Sequence, residues 1–486
     1  MTAAFPDTDI LIVGAGPVGL FLANECARRG LRWKLVETNA SQSEHSKALA
    51  IMPRTMEIFD MAGVATPFLK AANPVTWLAV VEPSRTVARM NFAPEESPYP
   101  FVAMVPQDVT ERLLVEELRR KEGNVEYQTT FVSAVEEEDC VRVTLEHEGE
   151  RRDLTSAFVV GCDGAHSAVR HLLNLPFDGD LYDDSFMLAD IDTDETLPAD
   201  EMQLCPSEFG PLAIFPMSAT RRRVIATVEK PEDAAPSIEL VRRLLAERGP
   251  RGIEARAIGW SSFFRVHHRQ VAQLRVGRIF VAGDAAHIHS PIGGQGMNTG
   301  LHDVWNLVWK LDLAVRGHGG ERLLDSYNAE RRPVIRSVID MTYRMTRAMA
   351  TPSKLAQAVR DTAIPLLSRV APFQHAMVQR LSQLGIEYSE SPIIEGAGKR
   401  YLDDSLRGGA GVGGRFLLLV GKDAGASMLE AEVQLGAMSH LVELRSSSED
   451  GIKLIRPDGY IAYEARGRTL DRAVASVRSL VERLTT

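Results

Sequence analysis

The chain has 486 residues, of which 65 are acidic and 55 basic, and its formal net charge is −10. This balance excludes a general nucleic-acid binder and a polybasic membrane-surface protein, because both need a basic face. Hydrophobic residues make up 45% and charged residues 25%, which is typical of a globular chain of about two to four domains. The four cysteines form no CxxC pair, and the start of the chain has no signal-peptide pattern, so we expect a cytoplasmic location and no zinc ribbon.

The first element of the chain predicts a complete β-α-β unit. Asp9–Val13 and Leu31–Val36 are short apolar runs typical of buried strands, and Leu20–Arg29 predicts a helix between them. The turn before the helix reads Gly14-Ala-Gly-Pro-Val-Gly19, and Glu37 ends the second strand. In this context the glycines allow a tight turn against a pyrophosphate, and an acid at this distance accepts ribose hydroxyls.

A second glycine-rich segment satisfies the same pattern without the same context. Residues 409–414 read Gly-Ala-Gly-Val-Gly-Gly and precede the apolar run Phe416–Val420 instead of following a strand. We therefore interpret this copy as a loop and not as a nucleotide site.

Two later segments end apolar strands in acidic turns. Ala157–Gly161 leads into Asp163-Gly164, and Gly277–Asp284 leads into the glycine-rich loop 291–298. An amphipathic helix is predicted to begin near Thr299. Either aspartate alone is usually a turn residue. Because both segments follow the first motif in this order, we interpret all three as parts of one cofactor site.

These segments resemble the single-component (class A) FAD-dependent aromatic monooxygenases related to p-hydroxybenzoate hydroxylase. The chain looks most like their phenol and aromatic-polyketide hydroxylase branch, with motifs over about residues 8–345. The resemblance implies an α/β protein with a Rossmann-type FAD-binding domain, an inserted mixed-sheet substrate domain and a thioredoxin-like C-terminal domain. The expected ranges are 1–76, 101–180 and 275–390 for the first domain, 77–100 and 181–274 for the second, and 396–486 for the third.

Carried over residue by residue, the resemblance assigns the first glycine motif to the pyrophosphate, Glu37 to the adenosine ribose and Asp284 to the ribityl chain. It associates Asp163 with NAD(P)H use and the loop 291–298 with the isoalloxazine ring. The family's usual Arg-Ala reads Lys-Ala here, which keeps a cation near phosphate or nicotinamide but loses the planar guanidinium. The residues expected to bind cofactor are Gly14, Gly16, Pro17, Gly19, Glu37, Lys47, Ala48, Gln107, Asp163, Asp284, Pro291, Gly294, Gln295, Gly296, Met297 and Asn298.

The segment 181–274 shows alternating runs that predict strands over Phe186–Ile191, Leu212–Pro216 and Arg223–Val228. These strands are expected to form a second sheet that covers the flavin. Each aromatic or methionine candidate for the pocket is also interpretable as ordinary core, and no general base can be named. The candidates are Trp77, Phe101, Phe186, Phe215, Met217 and Pro291.

The succession of runs after Gly396, ending in a helix over Thr469–Leu484, resembles the thioredoxin-like domain of phenol-type hydroxylases. It contains no cysteine, so it has no dithiol chemistry, and we expect a packing or homodimer role. All three cofactor segments precede Gly396, so flavin binding is expected to survive its removal.

The resemblance implies an enzyme that uses FAD, with NADPH or NADH as a transient electron donor. It would hydroxylate a phenolic or aromatic polyketide-like substrate with molecular oxygen through a flavin hydroperoxide. Epoxidation, Baeyer–Villiger insertion and dehalogenating hydroxylation are alternatives within the class. A non-catalytic nucleotide-binding regulator is a third hypothesis, which the two later segments disfavour. No metal is expected, and His287 and His289 are interpreted as structural.

Overall fold

The computed structural model describes most of the chain. The described residues are 6–43, 46–179, 181–194, 197–229, 235–290, 293–350, 370–396, 398–409, 415–422, 435–466 and 470–485. Pro291 and residues 410–414 of the second glycine motif therefore lie outside the described residues.

The first domain is built on a mainly parallel sheet around the strand Thr8–Val13, which is buried throughout, as is typical of a central parallel strand. Trp33–Val36 pairs with it on one side and the end of Glu150–Gly161 on the other, and Ile279–Val281 follows beyond that strand. The sheet is completed by strands that pair in antiparallel fashion with these, namely Thr129–Glu136, Val141–His147 and Arg275–Val276.

Helices and two small sheets surround this central sheet. The long helices are Pro17–Arg28, Gln107–Arg120, Gly296–Val315 and Glu321–Ala350. The shorter helices are Pro53–Met61, Ala65–Ala71, Ala168–Leu172 and Ala371–Leu381. One small sheet contains Ala50–Ile51, Asn73–Val75 and Val102–Met104. The other contains Phe177–Asp178, Arg269–Val271 and His287–Ile288.

The second sheet, called the substrate sheet below, has seven strands. In spatial order they are Ala257–His267, Leu181–Asp192, Arg221–Val228, Leu212–Pro216, Glu201–Cys205, Trp77–Glu82 and Arg85–Asn91. Side chains alternate between its faces. Met187, Ala189 and Ile191 pack on the outer face in the same core as the helix Ile238–Arg248. Phe186 and Leu188 point to the opposite, inner face.

The C-terminal sheet pairs Phe416–Val420 in parallel with Val442–Ser446, and in antiparallel with Ile452–Ile455, which pairs in turn with Ile461–Ala465. With the final helix Leu470–Thr485, this is the strand arrangement of a thioredoxin-like domain. Its core also includes Trp309, Leu313 and Leu323 from helices of the first domain. The two domains therefore share one apolar core.

This architecture confirms the expected fold class, with its inserted mixed sheet and its thioredoxin-like end. The domain boundaries remain predictions. Among the helices that are described, none is long and apolar enough to cross a bilayer.

Candidate active site

The first glycine turn contains two glycines that are needed for packing and one that faces open space. A Cβ on Gly14, whose φ is +100°, would lie 2.6 Å from the carbonyl oxygen of Cys162, and one on Gly19 would lie 2.0 Å from the carbonyl oxygen of Gly14. A Cβ on Gly16 would meet nothing within 4 Å. Gly16 precedes the helix that begins at Pro17, and no side chain caps that helix. The turn thus leaves room for a ligand at the positive end of a helix.

Glu37 is held at the end of its strand by hydrogen bonds from the glycine turn and from its own loop. Its Oε2 accepts from the amide of Ala15 at 2.8 Å, and its Oε1 accepts from the amide and side chain of Asn39 at 2.9 and 2.6 Å. The carboxylate is only half-buried, and a carboxylate has about four acceptor positions. It can therefore accept a further hydroxyl group beside the glycine turn.

Lys47, Ala48 and Gln107 lie where the substrate sheet meets the first domain. The Oε1 of Gln107 accepts from the amide of Ala48 at 3.0 Å, and its Nε2 donates to Glu111 at 2.9 Å. The carbonyls of Lys47 and Ala48 both accept from the buried guanidinium of Arg223, at 2.9 and 3.1 Å. The Lys47 side chain itself is exposed. The family's cation is thus present, while Arg223 fixes its backbone.

Asp163 caps the short helix that follows it. Its carboxylate accepts from the Ser167 hydroxyl at 2.5 Å and from the amide of Val169 at 3.2 Å. Burial raises the pKa of Asp163, and the bond from Ser167 acts against that rise. Its backbone lies against Gly14, so this turn shapes the wall of the glycine motif.

Asp284 stands in a short turn after the strand Ile279–Val281. Its side chain is exposed, yet the surrounding protein raises its pKa, while the charges of His287 and Lys47 act in the opposite direction. No hydrogen bond from a described residue reaches it. Within the described part of the chain, this exposed carboxylate is therefore an unused acceptor.

The turn before Asp284 is packed too tightly for side chains. Gly283 has a φ of +59°, and a Cβ there would lie 3.0 Å from Val18 in the first helix. A Cβ on Gly300 would lie 2.7 Å from Val18 and 2.9 Å from Gly283. The two helices that begin at Pro17 and Gly296 therefore meet at this turn, which brings the three cofactor segments of the sequence to one place.

A buried ion network supports that turn from behind. The Asp303 carboxylate accepts from the amide of Gly283 at 3.2 Å, from His287 Nε2 at 2.7 Å and from Arg331 Nε at 2.8 Å. All three side chains are inaccessible to solvent. Burial acts to raise the pKa of Asp303, but the charges of Arg331 and His287 outweigh it and lower that pKa. Asp303 is therefore ionised and fixes the backbone next to Asp284.

The loop before the helix Gly296–Val315 is held by its own side chains. Asn298 Oδ1 accepts from the amide of Met52 at 2.9 Å and from Thr55 at 2.7 Å, and its Nδ2 donates to the carbonyls of Ala50 and Gly294, both at 2.8 Å. All four bonding positions of this amide are thus occupied by protein.

Gln295 is used in a similar way. Its Nε2 donates to the carbonyls of Gly293 and Leu381, at 2.8 and 3.1 Å, and its Oε1 accepts from Gln383 at 2.8 Å. The helix itself has no side-chain cap. The side chains of Gln295 and Asn298 therefore build the loop, and the backbone amides from Gly296 onward remain for a ligand.

His289 lies beside this loop as a neutral side chain. Its Nδ1 is 3.0 Å from the carbonyl of Ser290, so the proton is assigned to Nδ1 and Nε2 is an acceptor. Burial lowers the pKa of His289 to about 4. The ring adds no positive charge next to Gly296, from whose Cβ position it is 3.7 Å away.

The predicted pocket residues separate into two groups. Phe186, Phe215 and Met217 lie on the inner face of the substrate sheet or next to it, and the Phe186 ring stacks on Phe264 with centroids 5.6 Å apart and planes 21° apart. Trp77 has the strand parity of outer-face residues and lies 4.0 Å under the guanidinium of Arg89. Phe101 packs against the core of the first domain. Trp77 lies on the outer face because it has the same parity as Ala79 and Val81 along its strand. The type of side chain does not reveal this.

Sequence reasoning did not identify four residues that contribute to the site. Asp190 and Arg223 are cross-strand partners in the substrate sheet, joined by two bonds of 2.7 and 2.9 Å. A charged residue in each of two predicted apolar strands was a usable signal for that pair. Asp303 and Arg331 lie on separate helices, and their spacing in the sequence carries no such signal.

The described residues fit FAD. Space above Gly16, an unused Asp284 carboxylate, a further acceptor position on Glu37 and two uncapped helix starts are the features that a dinucleotide with a ribityl chain requires. Within the described part of the chain, no group of three or more histidine, cysteine or acidic side chains is placed to hold a metal ion.

Comparison with known proteins identifies the class. A family model described as an FAD binding domain matches residues 7–342, so the chain belongs to that family. The 6-methylpretetramide 4-monooxygenase of Streptomyces rimosus is 35% identical over 408 residues, which cover 81% of this chain and 72% of that protein. Rifampicin monooxygenase of Streptomyces venezuelae is 30% identical over 94% of this chain and 95% of its own length.

A solved structure supports the same class. The anhydrotetracycline hydroxylase OxyS of Streptomyces rimosus superposes with a TM-score of 0.81 at 27% identity, covering 98% of this chain and 99% of that one. The chain is an FAD-dependent aromatic monooxygenase that uses NAD(P)H as reductant.

Proposed function

We propose that this monooxygenase hydroxylates a polycyclic phenol of the aromatic polyketide type. The observation that carries the proposal is the aromatic inner face of the substrate sheet, where Phe186 and Phe264 stack and Phe215 and Trp260 adjoin them. A wall of this kind suits a flat, multi-ring substrate. The relatives named above act on 6-methylpretetramide, rifampicin and anhydrotetracycline, which supports the same substrate class.

The chain's own residues would bind and orient the reactants. Gly16 and the start of its helix would receive the pyrophosphate, Glu37 the adenosine ribose and Asp284 the ribityl hydroxyls. Bound FAD, once reduced by NAD(P)H, supplies the activation of oxygen and its transfer to the substrate.

The helix that begins at Gly296 would direct its free amides at the negative edge of the reduced ring. The neutral ring of His289 leaves that field undisturbed. The apolar inner face would exclude water during oxygen transfer, which favours hydroxylation over wasteful release of reduced oxygen.

The test uses purified protein, whose cofactor is released by acid and identified. NADPH and NADH oxidation are then measured with a hydroxyanthraquinone, with a monocyclic phenol and with a saturated polycycle of matched size. We expect free FAD, faster oxidation with the anthraquinone than without it, and a product that gains one oxygen atom as a new aromatic hydroxyl. FMN in place of FAD, or oxidation that is indifferent to every aromatic, would contradict the proposal.

The cytoplasmic location and the homodimer remain predictions. Cell fractionation with an antibody against the chain tests the first of them. Light scattering of the purified holoenzyme tests the second.

A further inference from the structure

The apolar cluster between the substrate sheet and the first domain is rich in methionine. Eight of its seventeen members are methionines, which is half of the sixteen in the chain. The buried ones are Met52, Met90, Met104 and Met202. The partly exposed ones are Met217, Met341, Met345 and Met377. These eight side chains are called the methionine cluster.

Burial alone does not explain this concentration. The core on the outer face of the same substrate sheet has twenty members, and Met187 is its single methionine among the described residues. Both faces of the sheet must be covered, and leucine or isoleucine satisfies that need equally well. The methionines of the substrate site region are therefore concentrated on the face that looks toward the glycine-rich loop at 293–298.

The methionine cluster adjoins both the glycine-rich loop at 293–298 and the aromatic inner face of the substrate sheet. The Cε of Met52 is 3.4 Å from the position that a Cβ on Gly294 would take. Met345, a member of the methionine cluster, and Phe215, which packs against the cluster, both also pack against the group that contains Phe186. Met341 and Met345 are four residues apart on one helix, so their side chains lie on the same face. The cluster thus lies beside the place where an aromatic substrate must approach the flavin.

Methionine differs from the branched residues in how it fills such a wall. It is unbranched, has three rotatable bonds and carries a polarisable sulfur that contacts aromatic ring edges favourably. Leucine and isoleucine have well-defined rotamers and therefore specify one shape. A wall in which half of the side chains are methionine can reshape around ligands of different outline without a movement of the backbone.

We infer that the methionine cluster is a deformable wall of the substrate site, through which the enzyme accepts flat aromatic substrates with different numbers of fused rings. This inference rests on the proposed hydroxylation of polycyclic phenols and adds a broad substrate range to it. The partly exposed residues Met217, Met341 and Met345 are the members that adapt. They are specificity-determining residues.

The test compares the holoenzyme with a triple variant, Met217→Leu, Met341→Leu and Met345→Leu. Met187→Leu on the outer face of the same sheet is the matched control, and both exchanges nearly preserve volume, so the fold survives. Dissociation constants are measured by quenching of flavin fluorescence with a naphthol, a hydroxyanthraquinone and a four-ring hydroxytetracenedione. NADPH oxidation is followed with each ligand.

We expect the natural protein and the control to bind all three ligands within about tenfold of one another. The triple variant should keep its affinity for one ring number and lose about tenfold or more for the others. In a sample with ¹³C-labelled methionine methyl groups, the resonances of Met217, Met341 and Met345 should shift differently with each ligand. The resonance of Met187 should not shift.

Two outcomes would overturn the inference while the proposed function stands. In the first, the triple variant is indistinguishable from the natural protein across the three ligands. In the second, the control loses affinity for the same ligands as the triple variant. If the natural protein binds no aromatic ligand, the proposed function itself fails, and the inference falls with it.

Discussion

The first domain makes two contacts of opposite character. The C-terminal domain inserts the turn Arg456–Gly459, whose charged side chains are fully buried against two helices of the first domain. The substrate sheet instead meets the first domain through methionine and aromatic side chains, with Arg223 as a polar link to the loop at Lys47. Both contacts contain apolar side chains, but the first is centred on a buried ion network and the second on side chains that can change shape.

The C-terminal contact is built around Glu330. Its carboxylate accepts from Arg456 at 2.6 and 2.9 Å, from Lys310 at 2.8 Å and from Asn306 at 2.7 Å. Burial acts to raise the pKa of Glu330, but the charges of Arg456 and Lys310 outweigh it and hold that pKa well below its ordinary value. Burial lowers the pKa of Lys310 to about 8. Bonds of this kind tolerate little movement, because each buried charge depends on the next.

The difference assigns separate roles to the two sides of the cofactor site. Arg331 follows Glu330 in the chain and leads through Asp303 to the turn at Gly283, so the ion network lies behind the turn that would hold the cofactor. The methionine cluster stands on the substrate side. On the proposed site assignment, the cofactor would be held by a rigid support, while the substrate would meet an adjustable wall.

The largest expected effect is at the rigid contact. Arg456→Met removes the partner of two buried carboxylates, Glu330 and Asp458, and should lower the free energy of unfolding by about 3–5 kcal/mol. Arg445→Met is the control, since the pair of Arg445 with Glu443 is partly exposed and should be worth less than about 1 kcal/mol. Denaturant titration of both variants measures the difference.

The sequence alone predicts that flavin binding survives removal of the part after Gly396. The buried contact of Glu330 with Arg456 leads to the opposite prediction. A chain that ends near Gly396 leaves Glu330 and Lys310 without Arg456 and exposes the apolar surface around Trp309 to water, so it should lose its fold together with its flavin. A soluble truncated protein with native circular dichroism and bound FAD would show that the contact is not a rigid support.

A smaller effect is expected at the polar link of the substrate sheet. Arg223→Lys keeps the charge but loses the forked bonds to Asp190 and the carbonyls of Lys47 and Ala48, and should cost about 1.5–3 kcal/mol. Calorimetry measures the loss against Arg265→Lys, an exposed position on the edge strand of the same sheet. A loss as large as that of Arg456→Met would mean that both contacts are equally rigid.

Between the two contacts, Asp284→Ala tests the site itself. The variant should weaken FAD binding by about tenfold or more, because a bond to a charged group is worth about 1.5–3 kcal/mol. The melting temperature of the apoprotein should not change, since no described residue donates to this carboxylate. Asp284→Asn keeps an acceptor without the charge, so its FAD affinity should lie between those of the natural protein and Asp284→Ala. If FAD affinity is unchanged and the apoprotein is less stable, Asp284 stabilises the turn and does not bind FAD.

The smallest effect concerns Glu111, a buried residue that accepts from Gln107. Burial raises the pKa of Glu111 to about 7. Between its unfolded pKa of about 4.5 and this value, only the folded state keeps the proton, so its contribution to stability falls as pH rises through this range.

Glu111→Gln removes that dependence, so the variant should gain stability relative to the natural protein between about pH 4.5 and pH 7, with no further gain above. Melting curves across this range measure the gain. Glu116→Gln, an exposed position on the same helix, is the control, and an equal gain there would exclude burial as the cause.

The sequence by itself determined the β-α-β unit, the glycine turn with Glu37, and the strand-ending Asp284. These features depend on residues close together in the chain, whose glycine spacing and apolar runs have few structural solutions. The three strands predicted for the substrate sheet are present in the structure, because their apolar runs are also local patterns. Two of them extend further than predicted.

The tertiary structure decided which of these residues are free to bind a ligand. Asn298 and Gln295 look like ligand residues in the sequence, but the protein uses their side chains. Trp77 was a pocket candidate by type, and strand parity places it on the other face. The ion network and the methionine cluster join residues that are far apart in the sequence, so no local pattern can reveal them. Their partners are set by the way that helices and sheets pack, and only the folded chain brings them together.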